Sequence, residues 1–347
     1  MKRIHKIIIA VVIVLIVTIG GVFFAYNNAL KPVSSTSETV QFSVEEGMSH
    51  QDVVDQLDSQ GLIKSKFFTQ LFLRFNDYPI IQVNTYELDK NMDLKTIFDI
   101  ISTGDYHYLV KDSFTVPEGS TIPDIASVIA EKLGITQEEV INKWADRDYL
   151  NQLIEQYDFL SEDILNENIL YPLEGYLYPE TYNVTNVEMT IEGYTSLMLD
   201  MMQSVLAEYQ DQIAQSGKTI HEFLTFASIV ERESLYEEDK LMIAGVFQNR
   251  LDIDMPLQSD ITVLYALQRT GLDITYEELE TDSLYNTYVY QGLPVGPVSS
   301  VYKTTIEACL NPTESEYYYF FACEDGTVLY ASTLEEHEKN VEENMWY

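Results

Sequence analysis

The spacing of apolar residues changes character along the chain. Ile7 to Ala25 is an uncharged run of 19 residues, IIIAVVIVLIVTIGGVFFA, and ~20 such residues cross a hydrocarbon core as one helix. Residues 27–39, NNALKPVSSTSET, are polar, contain Pro32 and show no apolar period, the composition of a short tether. Val40, Phe42 and Val44 then alternate as a strand. Glu46-Gly47 makes a turn, and Ser49 caps a helix carrying Val53, Val54 and Leu57 before Gly61. Ser65 caps a further helix with Phe67, Phe68, Leu71, Phe72 and Phe75, followed by a strand at Tyr86 to Leu88 and a helix over Leu94 to Ser102. FSVEEGMS at Phe42 is answered 72 residues later by FTVPEGST at Phe114, the mark of a reused strand–turn–helix piece.

Downstream the pattern predicts helices over Ile122 to Leu133, after Thr136 (QEEVINKWA), and over Thr190 to Tyr209. YYYFFA at Tyr317, the turn Asp325-Gly326 and VLYA at Val328 predict a hairpin, with a closing helix from Thr333. The most informative stretch is Lys218 to Leu251, two helices separated by a cluster of acids. Thr219 and Glu222 form a capping-box pattern. Ile220, Phe223, Leu224, Phe226, Ala227 and Val230 recur at spacings of three and four and predict one buried face. At ~100° per residue, Glu231 and Glu233 lie on opposite edges of that face and Arg232 points away. A carboxyl partly desolvated by apolar neighbours keeps its proton to higher pH, as a general acid at neutral pH requires. Either glutamate meets that description, and so does the bland alternative of a polar helix end.

Composition adds direction. The chain of 347 residues has 20 basic against 56 acidic side chains, a formal net charge of −36, which excludes nucleic acid as a partner. No acid precedes Glu38, whereas Lys2, Arg3 and Lys6 precede the apolar run. The positive-inside rule therefore predicts a cytoplasmic N-terminus over 1–6, a membrane helix over 7–25 and an extracytoplasmic remainder in the cell membrane. The run exceeds an ordinary signal-peptide core, and Gly20, Gly21 and Ala25 make a poor cleavage site. The resulting organisation is α+β: one transmembrane helix, a linker over 26–39, a small α+β module over 40–112, and a larger mixed α+β domain over 113–347. The module's acidic loops serve either as a docking surface or as part of a spacer.

Five scattered histidines and two cysteines, Cys309 and Cys323, show no metal-ligand spacing. No cofactor motif is present, and whether the cysteines join is not legible from spacing. Twenty-five tyrosines cluster in YPLEGYLYPETY at Tyr171 and YNTYVYQGLPVGP at Tyr285, rigid aromatic loops suited to sugar rings. Glu231 and Glu233, ~200° apart on a helix, cannot flank one glycosidic bond as a two-carboxylate pair. A reaction needing a single acid/base fits better.

FASIVERES followed by VFQNRL, MPLQSDITVLYAL, YNTY, GLPVGP and LNPTE resembles the YceG/MltG family of endolytic murein transglycosylases. VPEG at Val116, EGYLYPETY and the terminal EEHEKNV also match, so the resemblance spans nearly the whole chain. It implies a LysM-like module over 40–112 and a catalytic domain after it. The implied activity is cleavage of peptidoglycan glycan strands at the MurNAc–GlcNAc β-1,4 bond, leaving 1,6-anhydro-MurNAc ends. It further implies Glu233 as the single acid/base, with Glu231 as runner-up. Substrate positioning is implied for Asn249, Gln258, Asp260, Tyr285 and Asn286, then for Glu174, Tyr178 and Glu180. Partners would be nascent glycan strands, the cytoplasmic membrane through one helix, and wall synthases with division or elongation proteins. The chain departs from the family pattern at Ser234, at Ile261, and at VGPVSSVYK, where Ser300, Val301 and Tyr302 replace a common NPG turn. The rivals are a non-catalytic wall-binding scaffold and a muramidase that uses water.

Overall fold

The computed structural model describes residues 2–345 apart from 46, 77, 79, 111, 185–188, 235 and 272, and for side chains also apart from 2–12, 16 and 106. Its elements are α1 (Lys2–Ala29), β1 (Thr39–Val44), α2 (His50–Ser59), α3 (Lys66–Phe75), β2 (Asn84–Asp89), α4 (Leu94–Thr103), β3 (Asp112–Thr115), α5 (Ile122–Leu133), α6 (Gln137–Trp144), α7 (Arg147–Gln156), β4 (Thr181–Val184), α8 (Ile191–Gln215), α9 (Ile220–Glu233), α10 (Glu237–Asp252), α11 (Asp260–Ala266), α12 (Lys303–Leu310), β5 (Tyr319–Ala322), β6 (Val328–Ala331) and α13 (Leu334–Asn344). They group into two compact units, residues 1–113 with 183–187, and residues 114–182 with 188–347.

In the first unit β1 and β2 pair antiparallel from Thr39↔Asp89 to Val44↔Asn84. The period-two pattern turns Phe42 and Val44 inward onto Tyr86 and Leu88, and α2, α3 and α4 close the core with Val53, Val54, Leu57, Phe72, Ile97 and Phe98. Ser49 caps α2 through a capping box with Asp52, and Gly47 supplies the left-handed φ of 87° that lets the strand reverse into the helix.

Among the described residues no helix is long and apolar enough to cross a membrane. The run predicted to do so, Ile7 to Ala25, falls partly on residues 7–12 and 16, whose side chains lie outside the described ones. Its downstream part is helical and exposes Ile13, Val14, Leu15, Val17, Ile19, Val22, Phe23 and Phe24. The polar segment after it, read from composition as a tether, is tied to the module. Tyr26 and Leu30 pack on the core, the Leu94 N–H donates to Leu30 O at 3.0 Å, the Ser34 N–H to Lys90 O at 3.0 Å, and the Glu38 N–H to the Asp89 carboxylate at 3.1 Å.

The second unit is built around α9. Its apolar face packs where the period predicted, but residues Phe223 through Glu231 are all buried, so the helix is enclosed on every side. This corrects the expectation of a single buried face. The physical reason lies in Thr225 and Ser228. Thr225 Oγ1 donates back to His221 O at 2.7 Å, and Ser228 Oγ donates to Thr225 O at 2.8 Å while accepting the Val298 N–H at 3.0 Å. Small hydroxyls satisfied on their own helix pass as apolar residues. A core of Phe226, Ile229, Val230, Ile243, Phe247, Leu257, Tyr265 and Tyr285 surrounds the helix. β5 and β6 form the hairpin, in register Tyr319↔Ala331 to Ala322↔Val328. Helices α7, α11 and α12 were not predicted, and α8 runs beyond Tyr209 to Gln215. Cys309 and Cys323 are free thiols.

Candidate active site

Glu233 is the last helical residue of α9, because Ser234 turns extended and returns its hydroxyl to Val230 O at 2.8 Å. A carboxylate at a helix C-terminus faces the negative end of the macrodipole, which favours its protonated form. The side chain is half-buried and meets the loop leading into α11. There Gln258 adopts a left-handed φ of 48°, a strained conformation for a residue with a Cβ, and turns Ser259 inward. Ser259 is the N-cap of α11, yet its hydroxyl makes no cap bond. Instead Oγ donates to Glu233 Oε1 at 2.5 Å. A short helix thus forgoes its own cap to hold a carboxylate on another element.

Ser259 is itself fixed. Its N–H donates to Thr287 Oγ1 at 3.0 Å, its carbonyl accepts Thr262 Oγ1 at 2.7 Å, and the two threonine hydroxyls lie 2.9 Å apart. The Gln258 N–H reaches Thr287 O at 3.2 Å. Burial pushes the Glu233 carboxyl up, the Ser259 bond pulls it down, the Asp260 charge pushes it up again, and Arg250 and Arg232 pull it down. The balance leaves it at about 7.

Arg250 of α10 is buried and spans three elements, donating Nε to Tyr318 O at 2.6 Å and Nη1 to Leu257 O at 2.5 Å. Asp260, the first residue of α11, accepts the Tyr288 hydroxyl at 2.6 Å. Asn286 is fully buried. Its Nδ2 donates to Leu279 O and Thr281 O at 2.9 and 2.8 Å, and its Oδ1 accepts the Tyr288 N–H at 2.9 Å. Asn286 thus shapes the loop that delivers Thr287 and Tyr288. Ser259, Asp260, Arg250 and Arg232 act on Glu233 by bond or charge, and Thr287 and Tyr288 hold Ser259 and Asp260 in place.

Glu231 is placed quite differently from the helix edge expected for it. It is 8% exposed and accepts Lys240 Nζ at 3.1 Å, the Tyr302 N–H at 2.9 Å and Thr305 Oγ1 at 2.6 Å. Lys240 is also buried and lies 3.8 Å from Glu118. Glu231 therefore caps the N-terminus of α12 and neutralises a buried lysine. The departing stretch Ser300 to Tyr302 is where it docks, with Ser300 and Val301 buried and the Ser300 N–H on Ser120 O at 2.7 Å.

The other expected residues have bonds and ring contacts of their own. Asn249 spends its amide on Ser315 O and Tyr317 O, both at 2.9 Å. Tyr285 lies in the core against Tyr265, with ring centroids 4.9 Å apart. Tyr178 is buried against Tyr302 at 5.7 Å, and Glu180 is exposed. Glu174 is buried, accepting the Ile122 N–H at 3.1 and 3.0 Å and the Tyr265 hydroxyl at 2.9 Å, and burial lifts its carboxyl to about 8. Sequence reasoning assigned no role to Ser259, Thr262, Thr287, Tyr288 or Lys240. The first four lie inside the motifs LQSDITVLYAL and YNTY, and only their neighbours were singled out. Among the described residues no group of three or more His, Cys, Asp or Glu side chains is placed to hold a metal ion.

The sequence profile of the YceG-like family matches residues 42–343. The endolytic murein transglycosylase of Bacillus subtilis (strain 168) is 35% identical over 323 residues, covering 92% of this chain and 89% of that protein. The endolytic murein transglycosylase of Streptococcus pneumoniae serotype 2 (strain D39 / NCTC 7466) is 33% identical, covering 99% of this chain but 66% of its own length. Among solved structures, a YceG-like protein of Listeria monocytogenes superposes with a TM-score of 0.64 at 34% identity, covering 88% of this chain and all of that one.

Proposed function

The chain belongs to the YceG-like family, and on that premise we propose that it is a membrane-anchored endolytic lytic transglycosylase of peptidoglycan, with Glu233 as its single acid/base. The observation that carries this assignment is the contrast between the two glutamates of α9. Both oxygens of Glu231 are engaged, Oε1 by Lys240 and Oε2 by the Tyr302 N–H and the Thr305 hydroxyl. Glu233 is half-buried, is held at one oxygen by Ser259, and rests at about 7, where a carboxyl can give and take a proton at neutral pH.

Ser259 donates to Oε1, so that oxygen stays an acceptor in both protonation states and the titrating proton belongs on Oε2. In the first step Oε2–H protonates the glycosidic oxygen between C1 of MurNAc and the neighbouring GlcNAc. The C1–O bond breaks and GlcNAc leaves with a hydroxyl. The carboxylate then takes the proton of the C6 hydroxyl of the same MurNAc while that oxygen bonds to C1. Glu233 ends as it began, no water is consumed, and the product carries a 1,6-anhydro ring. Asp260, turned toward the Tyr288 hydroxyl, holds negative charge near Glu233 and keeps its proton on. Gln258, exposed on its strained turn, is free to meet sugar hydroxyls.

The anchor belongs to the same proposal. A 28-residue α1 is ~42 Å long at 1.5 Å per residue, the apolar run within it has spanning length, and its downstream half exposes large apolar side chains. The basic N-terminus then stays in the cytoplasm and the catalytic unit acts outside, on nascent strands beside wall synthases and division or elongation proteins. The β1–α2–β2–α4 module is the LysM-like part of this reading.

The test is product analysis. The full-length protein incubated with purified sacculi should release muropeptides ending in 1,6-anhydro-MurNAc, and Glu233→Gln should release none. Reducing-ended products one water heavier would replace this chemistry with that of a muramidase, and no release by the wild type would favour a scaffold.

A further inference from the structure

Helix α3 exposes a stripe that the first unit does not use. Phe67 and Phe75 are 67% and 75% exposed, Leu71 lies half-buried between them, and spacings of four place all three on one face. The opposite face, with Thr69 and Phe72, is in the core. Large adjoining apolar side chains in water mark an interaction surface.

Two observations say what covers it. One is continuity with α1. The Phe67 ring lies 5.2 Å from Phe68, and Phe68 lies 6.0 Å from Tyr26. Tyr26 directly follows the apolar run ending at Ala25, and Phe23 and Phe24 beside it are exposed. The aromatic path therefore joins α3 to α1 at the level where the run ends, the depth at which aromatic side chains populate a membrane interface.

The other observation is charge. In a chain with 56 acids and 20 bases, residues 61–76 (GLIKSKFFTQLFLRFN) contain Lys64, Lys66 and Arg74 and no acid. All three are exposed, with Lys66 also near Asp55 and Asp58 of α2 at 3.2 and 3.4 Å. Phenylalanine and leucine on one face with lysine and arginine at its borders is the composition of a helix lying in the headgroup region, and the local charge is opposite to that of the rest of the molecule.

We propose that the exposed face of α3 is a second membrane contact, lying flat in the headgroup–acyl boundary of the bilayer that α1 crosses. Phe67, Leu71 and Phe75 face the acyl chains and Lys64, Lys66 and Arg74 the phosphates. This rests on the anchor reading of α1. With α1 as a pivot and α3 as a foot, the first unit is held at a fixed tilt to the membrane.

Single cysteines at Phe24, Phe67 and Phe75, introduced into the full-length protein with Cys309→Ala and Cys323→Ser, carry an environment-sensitive fluorophore. The protein is reconstituted in vesicles of zwitterionic and anionic phospholipid, and quenching by shallow lipid-borne nitroxide is compared with quenching by a water-soluble nitroxide. All three positions should be quenched about twofold or more by the lipid probe over the aqueous one. Lipid quenching at position 24 with only aqueous quenching at 67 and 75 overturns the foot and leaves the anchor standing. Aqueous quenching at 24 overturns the anchor and the foot with it. Shielding of 67 and 75 from both probes assigns the stripe to a protein partner or a second copy and also overturns the proposal.

Discussion

Ser259→Ala isolates the contact that links α11 to Glu233, the proposed acid/base. The hydroxyl stabilises the Glu233 carboxylate through a bond of 2.5 Å, so its removal favours the protonated form. Hydrogen bonds to charged groups contribute ~1.5–3 kcal/mol, and one pKa unit corresponds to ~1.4 kcal/mol. The carboxyl should therefore rise from about 7 by roughly 1–2 units, the smaller value if water enters the space. A general acid must start protonated, so activity falls as pH rises through its pKa. In the variant that falling limb moves to higher pH, while the rate on the plateau drops because Glu233 loses its fixed rotamer. The assay is the pH profile of anhydro-muropeptide release by full-length protein, with the carboxyl followed directly by carbon NMR of labelled glutamate. Thr287→Val, which removes the hydroxyl that receives the Ser259 N–H at 3.0 Å, should shift the limb the same way by less. A Ser259→Ala profile whose alkaline limb overlies that of the wild type refutes the assignment of Ser259 as the positioning residue.

The two glutamates of α9 should separate cleanly. Glu233→Gln should cut product release by at least about 100-fold, the lower end of general acid–base contributions, with a denaturant midpoint at neutral pH at or above that of the wild type, because the raised carboxyl is removed with its linkage cost. Glu231→Gln strands the buried Lys240 and should cost about 3 kcal/mol by urea titration, with Glu118 at 3.8 Å replacing part of the lost charge. Glu174 tests linkage. Its carboxyl is raised from 4.5 to about 8 in the folded state, so its contribution is fully present below ~4.5 and is lost as pH rises through about 8. Glu174→Gln should thus be near neutral at acid pH and more stable than wild type at pH ~8, by on the order of 3–5 kcal/mol, and equal midpoints at both pH values would contradict this. Gly245→Ala would set a Cβ 2.3 Å from Thr313 O. Overpacking of that kind costs ~1–3 kcal/mol, measurable as a lower thermal midpoint.

What the sequence carried and what it did not follows from where the determining contacts lie. Helices α2, α5, α6 and α9 announce themselves because their caps are local: Ser49 with Asp52, Thr121 with Asp124, Thr136 with Glu139 and Thr219 with Glu222 lie three residues apart. Helices α11 and α12 carry no such signal. The N-cap hydroxyl of α11 is committed to Glu233, 26 residues upstream, and the N–H of Tyr302, the N-cap residue of α12, is satisfied by Glu231, 71 residues upstream. The same non-locality hid the difference between the two glutamates. A helical wheel ranks positions by distance from an apolar face, and it set Glu231 and Glu233 as equals. It holds no information on Lys240 or on the α12 terminus, which draw Glu231 into the interior, nor on the loop that meets Glu233 at its edge. A wheel also takes Thr225 and Ser228 for solvent-facing residues, since it cannot register hydroxyls that close on their own backbone. The proposal for Glu233 therefore rests on a contrast in space: of two carboxyls two residues apart, one is consumed in holding α12, and the other, among the described residues, accepts one hydroxyl, that of Ser259.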